Sequence, residues 1–259
     1  MFFAEPPRSQ YDVHFRLFGF PVRVHPFFWL ITVFLGVGIG RDRKVDLAQL
    51  LIWIGVVFAS ILIHELGHAL MQRRFGGRPW ITLYAFGGLA SCSDCDRSPR
   101  SQILISLAGP AAGFAFAVAV VVLLRLTGHV AGIAPGSGQR APDGFYALPL
   151  FIATVFWEPL ASRPANLLLG NLFWVNIGWG LVNLLPIYPL DGGQVSREVL
   201  TLSNPRRGIV LSLQVSMVAA AAMAVIGLVA WGSPLVALMF GSLAYSSYQA
   251  LQAYRSSSW

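Results

Sequence analysis

Two histidines and a glutamate stand together in an otherwise apolar stretch, at His64, Glu65 and His68. On a helix His64 and His68 share one face, and Glu65 lies about 100° round from His64. The H-E-x-x-H spacing is typical of zinc hydrolases, in which the imidazoles bind the metal and the glutamate serves the attacking water. Residues 50–63 carry no charge. A carboxylate in such surroundings costs several kcal/mol unless something compensates it, so chance is a poor explanation.

The low share of charged residues is typical of membrane proteins. Of 259 residues, 56% are hydrophobic and 11% are charged, whereas soluble domains carry about 25% charged residues. The formal net charge of +7 comes from basic residues scattered in short loops between apolar runs, which is typical of cytoplasmic membrane loops. We therefore expect a lipid bilayer, and no nucleic acid, as a partner. The amino terminus lacks a basic segment followed by an apolar core, so we expect no cleaved signal peptide.

Hydropathy predicts an all-α polytopic membrane protein, a single domain over residues 1–259 with a small membrane-associated β-sheet. Alternating apolar residues predict a β-hairpin at about 11–24. The β-branched and aromatic residues at about 80–91, broken by Gly87 and Gly88, predict a second β-hairpin or a re-entrant strand. Non-helical backbone at membrane depth must be satisfied by protein or by a water-filled cavity. Six transmembrane helices are expected, at about residues 26–39, 47–71, 102–126, 166–185, 209–229 and 234–248.

Two stretches between the third and fourth predicted helices are not expected to span the membrane. Residues 127–145 are rich in glycine and proline and predict a loop. Residues 145–157 are apolar but too few to cross a bilayer as a helix. They favour an interfacial or partly inserted helix.

Six spans place both termini on one side of the membrane. Twelve basic residues then fall on that side and six on the other, which predicts a multi-pass protein of the cell inner membrane with both termini in the cytoplasm. The twelve are Arg8, Arg16, Arg23, Arg73, Arg74, Arg78, Arg97, Arg100, Arg197, Arg206, Arg207 and Arg255. The six are Arg41, Arg43, Lys44, Arg125, Arg140 and Arg163. Since His68 precedes Arg73 by roughly 7–8 Å of helix, the site is expected inside the bilayer, toward the cytoplasmic side.

A catalytic zinc usually takes three protein ligands, so a third ligand is needed. Asp191 is the acidic residue near the cytoplasmic end of a span, in the run N-L-L-P-I-Y-P-L-D-G-G at 183–193. Pro186 and Pro189 break the helix, which can aim Asp191 back at the histidines. An aspartate before glycine is also a common turn residue, and that alternative stays open. The other histidines lie in a surface hairpin or in a loop on the opposite side: His14, His25 and His129.

H-E-L-G-H at 64–68, combined with the run at 183–193, resembles the site-2 protease family of intramembrane zinc metalloproteases. The likeness extends over roughly residues 20–255, including A-G-P at 108–110 and the glycine pair of the second hairpin. It is to compact bacterial-type members, since no stretch resembles a PDZ or CBS module. Gly113 stands where many relatives have asparagine.

The resemblance implies one Zn²⁺ per chain, bound by His64, His68 and Asp191, with Glu65 as the catalytic base. It also implies that Asn183 holds the substrate backbone.

Three further residues are candidates for binding substrate. Asn176 lies seven residues before Asn183, two helical turns along the same face. It is expected either to line the same cleft or to make an interhelical hydrogen bond. The strand that contains Gly87 and Gly88 is expected to pair with an unwound substrate by strand addition.

The sequence thus predicts an intramembrane zinc endopeptidase that cleaves transmembrane segments of membrane-anchored substrates, either single-pass proteins or remnant signal peptides. The alternatives are a metal transporter and a non-proteolytic membrane metalloprotein. A transporter would not need a glutamate beside the first histidine, and it would usually offer several polar sites along its path. An inactive relative would normally have lost Glu65 or a ligand.

Cys92 and Cys95 form a C-x-x-C motif with no second pair in the sequence. The favoured interpretation is an incidental reduced pair in a reducing cytosol. A redox pair or part of a second metal site is the alternative.

Overall fold

The structure is a computed structural model, and it describes residues 5–37, 46–85, 87–136 and 143–257. The last two residues of the predicted first span, 38 and 39, lie outside these residues. So do four of the basic residues used for orientation, Arg41, Arg43, Lys44 and Arg140. The described chain is mostly helical, with two small β-sheets.

The helices follow the predicted apolar runs, with one addition. The helix α6, which the hydropathy pattern did not predict, follows the proline-containing break, and the predicted fourth span consists of α4, a π-helical segment and α5. The bounds are α1 Pro26–Val37, α2 Leu47–Arg74, α3 Pro99–Leu126, α4 Arg163–Phe173, the π-helical segment Trp174–Trp179, α5 Gly180–Asn183, α6 Asp191–Ser203, α7 Gly208–Val229 and α8 Pro234–Ser257.

Four helical stretches of the described chain are long and apolar enough to cross a membrane. They are Leu47–Arg74, Pro99–Leu126, Arg163–Asn183 and Gly208–Val229. The helix α1 is apolar but shorter, and α8 is not among the four. The six-span count therefore stays a prediction.

Both predicted hairpins form, and they join into one four-stranded sheet, which we call the first sheet. Its strands are β1 Val13–Leu17, β2 Phe20–Val24, β3 Trp80–Tyr84 and β4 Gly87–Ser91, in the order β1-β2-β3-β4. The hairpins are antiparallel, and the pairing between β2 and β3 is parallel. Alternate side chains of β2 and β3 are buried with apolar residues of α2. Because β4 is at the end of the strand order, it is an edge strand next to α2.

The amino-terminal segment covers the other face of the first sheet. Glu5 Oε1 accepts hydrogen bonds from the Thr82 hydroxyl (2.7 Å) and from the Arg23 guanidinium (3.0 Å). Its second carboxylate oxygen accepts from the indole N–H of Trp80 (3.3 Å). Arg23 is buried and also pairs with Asp12. These bonds make residues 5–12 part of the folded sheet.

A second sheet forms where the sequence predicted a loop at 127–145 and an interfacial helix at 145–157. Its strands are β5 Ala131–Pro135, β6 Tyr146–Pro149 and β7 Ala153–Trp157, all antiparallel in the order β5-β7-β6. Both predictions are wrong for these residues. The apolar run contains two short strands and a turn, and its β-branched and aromatic residues suit a sheet.

The chain divides into two compact units. The first comprises Met1–Cys95 and Ala108–Leu181, and contains both sheets and the H-E-x-x-H motif. The second comprises Asp96–Leu107 and Val182–Trp259, and contains Asn183 and Asp191.

Candidate active site

The long helix α2 holds the motif in its C-terminal half. The helix begins with Asp46 as its N-cap, whose carboxylate accepts from the backbone N–H of Ala48 (3.0 Å), a bond that helix N-termini require. Arg73 and Arg74 in the last turn suit the negative end of the helix dipole. The helix runs without a break between these ends, so the spacing of the motif becomes a fixed geometry.

The predicted grouping of His64, Glu65 and His68 is confirmed. One potential ligand atom from each lies within 4.8 Å of the others. The Nε2 atoms of the two histidines are 3.1 Å apart, a separation that two metal–nitrogen bonds of about 2 Å can close around one ion. Glu65 and His68 are buried, with 5% and 7% of their surfaces exposed, and His64 is half-buried.

Helix α3 approaches this part of α2 at backbone distance. A Cβ added to Gly67 would lie 2.8 Å from the Ala112 Cβ and still nearer to the carbonyl of Ala108. A side chain at position 67 would therefore push the helices apart. Small residues at such a crossing are typical of packed membrane helices.

Gly109 of α3 faces the two imidazoles. A Cβ at this position would lie 2.7 Å from His64 Nε2 and still nearer to His68 Nε2, so it would overlap both rings. The missing side chain thus leaves a space beside both nitrogens, where a metal ion would need room. The donor set and this space fit Zn²⁺. The sequence did not indicate that Gly109 lies at the site; its place in A-G-P at 108–110, part of the family resemblance, was the available signal.

Glu65 packs against the edge strand β4. A Cβ on Gly88 would lie 2.5 Å from Glu65 Oε1 and Cδ, so only glycine leaves the carboxylate its position. Gln72, two turns beyond Glu65, donates a 2.9 Å hydrogen bond from Nε2 to the carbonyl of Ala90 in β4. Burial, and then the nearby Glu65 carboxylate, raise the pKa of Tyr84, so its phenol stays protonated at neutral pH. The strand predicted to hold substrate is therefore in direct contact with the predicted base.

Gly87 begins β4 with a φ of 117°, a conformation that favours glycine. It pairs with Tyr84 in the hairpin.

Asn176 makes the interhelical hydrogen bond that was one of its two expected roles. Its Nδ2 donates to Ser60 Oγ of α2 (2.8 Å) and to the carbonyl of Leu172 (2.9 Å). Ser60 is one helical turn before His64, on the same face. The Oδ1 of Asn176 is buried and has no hydrogen-bond partner among the described residues.

The π-helical segment corrects another expectation about Asn176. Asn176 and Asn183 were expected on one face because seven residues make two α-helical turns. Asn176 lies within a π-helical segment, Trp174–Trp179, that precedes Asn183. The α-helical spacing therefore does not apply between the two asparagines. Such segments are frequent at functional sites.

In the second unit, Asn183 ends α5 and is half-buried, and Asp191 is the first residue of α6, 9% exposed. The predicted helix break between them is present, with Pro186 and Pro189 in the irregular segment between α5 and α6. A Cβ on Gly193 would overlap the backbone of Ile187, and Tyr188 donates its backbone N–H to Ser216 Oγ (2.8 Å). The segment before α6 therefore packs directly on the backbone of Gly193, and Asp191 is buried at the start of that helix.

Comparison with known proteins relates the chain to zinc metalloproteases. A protein of Synechocystis sp., provisionally named a zinc metalloprotease, is 31% identical over 77% of this chain and 47% of its own length. The provisionally named zinc metalloprotease Rip3 of Mycobacterium tuberculosis is 32% identical over 71% of this chain and 42% of its own. A zinc metalloprotease of Methanocaldococcus jannaschii is 25% identical over 72% of this chain and 44% of its own. The chain thus spans about half the length of these relatives.

The fold and the family follow from two further comparisons. The solved site-2 protease of Methanocaldococcus jannaschii superposes with a TM-score of 0.57 at 21% identity, covering 93% of this chain and 95% of that one. At this identity the likeness shows the fold alone. The model of peptidase family M50 matches residues 52–230, a range that includes both sequence motifs. The chain therefore belongs to peptidase family M50, as its two motifs predicted.

Proposed function

We propose that this protein is an intramembrane zinc endopeptidase that cleaves transmembrane segments of membrane-anchored substrates. The observation that carries the proposal is the space left by Gly109 beside two imidazole nitrogens 3.1 Å apart. Membership of the M50 family and the zinc metalloproteases among the relatives support it. Four apolar helices support a site at the membrane.

The proposed ligands of one Zn²⁺ are His64, His68 and Asp191. The imidazoles are neutral donors on one helical face, and Asp191 adds a buried carboxylate. A carboxylate at such a position costs free energy unless it is hydrogen-bonded or paired with a cation. Zn²⁺ is a cation of that kind, and carboxylate oxygen is one of the donors that it takes in proteins.

Each polar group of the site has a chemical role in this proposal. Zinc, when bound, polarises the scissile carbonyl and activates a water molecule. Glu65 takes the proton of the attacking water and delivers it to the leaving amine. Its buried position against Gly88 orients the carboxylate and excludes bulk water. Asn183 donates a hydrogen bond to the substrate carbonyl as negative charge develops on it.

The proposed substrates are single-pass membrane proteins or remnant signal peptides. A helical substrate hides its scissile carbonyl and must unwind first. As the last strand of the first sheet, β4, with Gly87 and Gly88, would offer backbone groups to an unwound segment. Asn176 Oδ1, buried and without a partner among the described residues, is the proposed acceptor for a substrate N–H.

The test compares wild type with Glu65→Gln and Asp191→Asn in proteoliposomes that contain a single-span substrate. We expect Glu65→Gln to bind zinc normally and to lose cleavage by about 10³-fold or more, as expected when a general base is removed. We expect Asp191→Asn to lose zinc, measured by elemental analysis. A chelator should stop wild-type cleavage and added zinc should restore it.

Three outcomes would contradict the proposal. Cleavage by Glu65→Gln near the wild-type rate would remove Glu65 from the mechanism. Full zinc content in Asp191→Asn would remove Asp191 from the ligand set. Zinc transport by wild-type vesicles without cleavage would favour the transporter alternative.

We also propose that both termini face the cytoplasm. The twelve-to-six distribution of basic residues supports this orientation. A reporter fused to the carboxyl terminus, active only in the periplasm, should stay inactive.

A further inference from the structure

Cys92 and Cys95 are joined by a disulfide in the structure, in contrast with the reduced pair favoured from the sequence. The disulfide immediately follows β4, since Ser91 is the last residue of that strand. Both cysteines are half-buried, and the residues between them are exposed. The disulfide is therefore accessible to a small thiol and lies next to the edge strand that contacts Glu65.

The disulfide packs against the turn that leads into β3. A Cβ on Gly77 would overlap both sulfur atoms, so the pair rests directly on the glycine backbone. The backbone N–H of Arg78 donates to Asp94 Oδ1 (3.0 Å), which ties the same two segments together. The loop after β4 and the turn before β3 are thus clamped at the open end of the hairpin.

Gln72 connects this clamp to the site. Its carbonyl oxygen lies 3.9 Å from Cys95 Sγ and accepts the backbone N–H of Gly77 (3.0 Å). Its side chain makes the hydrogen bond to Ala90 of β4, and its Oε1 has no partner among the described residues. Gln72 is one helical turn beyond His68, on the same face. Gln72 thus contacts both the disulfide and β4, so a movement of the sulfur atoms is transmitted to the strand through this residue.

We propose that Cys92 and Cys95 form a thiol–disulfide exchange site for dithiol reductants, and that its oxidised form holds β4 in position for substrate. The role of β4 rests on the proposed proteolytic function. Reduction frees two thiols, which must move apart, and Gly77 leaves them no room on its side. The loop is displaced from the turn, and the hydrogen bond from Gln72 to Ala90 weakens.

The exchange reaction balances with the reductant as electron donor. A thiolate of the dithiol attacks Cys92 Sγ, the disulfide bond breaks, and Cys95 leaves as a thiolate that takes a proton from water. Asp94 Oδ1 lies 3.4 Å from Cys92 Sγ, and this carboxylate disfavours a thiolate on Cys92, which makes Cys95 the leaving group. The second thiol of the reductant then releases Cys92 as a thiol. The reductant ends as a disulfide, and two electrons pass to the protein.

The test uses the full chain, loaded with zinc in lipid nanodiscs, with dithiothreitol as the reductant. Alkylation counts the thiols, hydrogen exchange measures the amides of residues 87–91, and cleavage of a single-span substrate gives kcat/KM. We expect reduction to expose both thiols, to speed exchange in β4 about fivefold and to lower kcat/KM by a similar factor, the size expected for the loss of one hydrogen bond. The double variant Cys92→Ser/Cys95→Ser should behave like the reduced protein and should not respond to dithiothreitol.

A second pair of variants tests the clamp without touching the cysteines. Gly77→Ala should displace the disulfide and speed exchange in β4 without reductant. Its control is Gly55→Ala, where an added Cβ meets nothing within 4 Å, and exchange in β4 should stay at the wild-type rate.

Three results would overturn the proposal. The first is a disulfide that dithiothreitol does not reduce. The second is unchanged exchange of the β4 amides after reduction. The third is equal inhibition of the wild type and the double variant by dithiothreitol, which would mean that the reductant removes zinc. If no form cleaves any substrate, the proposed function fails, while thiol counting and hydrogen exchange still decide whether the clamp exists.

Discussion

Two glycines in β-strands show how differently the two sheets are used. Gly88 of the first sheet lies against the Glu65 carboxylate, and Gly132 of the second lies against the ring of Phe156. An added Cβ would collide in both places, at 2.5 Å from Glu65 Oε1 and at 2.6 Å from Phe156 Cζ. The first collision moves the proposed base, whereas the second moves the far end of a flexible side chain.

The surroundings of the two glycines differ in the same way. Around the motif, glycines keep space free next to functional atoms, as Gly109 does beside the histidines. The second sheet is filled by side chains instead. Trp157 stacks on Tyr146 (5.5 Å between ring centroids) and contacts Phe173 of α4. In the first region glycines leave room beside the candidate site residues, whereas in the second region aromatic side chains fill the space between the elements.

The largest expected effect is at Gly109. In Gly109→Ala the methyl group fills the space beside both imidazole nitrogens, so we expect zinc affinity to fall by about 100-fold or more and cleavage to be lost. Zinc titration followed by elemental analysis measures the fall in zinc affinity. The control is Gly241→Ala, which adds a methyl group where nothing lies within 4 Å. Normal zinc binding by Gly109→Ala would show that the metal does not occupy this space.

A smaller effect is expected at Gly88. In Gly88→Ala the new methyl group displaces the Glu65 carboxylate, and a displacement of about 1 Å can cost roughly 100-fold in rate. Because Glu65 is not a proposed ligand, zinc content should stay at the wild-type level. Steady-state cleavage measures the expected rate loss, and metal analysis of the same sample measures the zinc content. If Gly88→Ala lost as much zinc as Gly109→Ala, the proposed separation of Glu65 as base from the histidines as ligands would be wrong.

Changes at Trp157 should affect stability and leave catalysis intact. Trp157 is buried, and its indole N–H donates to Asn166 Oδ1 (3.2 Å). We expect Trp157→Ala to lower the free energy of unfolding by about 3–5 kcal/mol and Trp157→Phe by about 1 kcal/mol. Chemical unfolding in detergent measures this, with cleavage normalised to folded protein. A rate loss comparable to that of Gly88→Ala would give the second sheet a part in the reaction.

The smallest effect is expected at Gly132. Phe156 can turn away from a new methyl group, so Gly132→Ala should cost about 1 kcal/mol of stability and change neither zinc content nor kcat. It is the matched control for Gly88→Ala, because both variants add one methyl group at a crowded strand position. A large rate loss in Gly132→Ala would mean that crowding in any strand harms the enzyme.

The sequence predicted the elements that carry a strong local pattern. The first sheet followed from alternating apolar residues in one hairpin and from β-branched and aromatic residues in the other. The motif helix followed from a long apolar run that ends at Arg73 and Arg74. The second sheet was missed because the apolar run from Phe145 to Trp157 has the composition of a short helix as well as of two strands. Its turn carries no glycine, proline or asparagine.

The sequence predicted which three side chains of α2 lie together, but it did not predict which residues of other elements lie against them. The H-E-x-x-H motif contains the ligand residue types at their spacing, so the grouping of His64, Glu65 and His68 could be predicted from the sequence. That Gly88 and Gly109 face these residues depends on how β4 and α3 approach α2, which no local pattern encodes. The π-helical segment around Asn176 was equally hidden, since its composition suits an ordinary helix.

The bonds of Glu5 to Thr82, Arg23 and Trp80 have a practical consequence for anyone who expresses this protein. Affinity handles or fluorescent fusions attached ahead of Glu5 would pull on the same sheet whose far strand, β4, contacts the Glu65 carboxylate. Handles attached behind α8 avoid that strain.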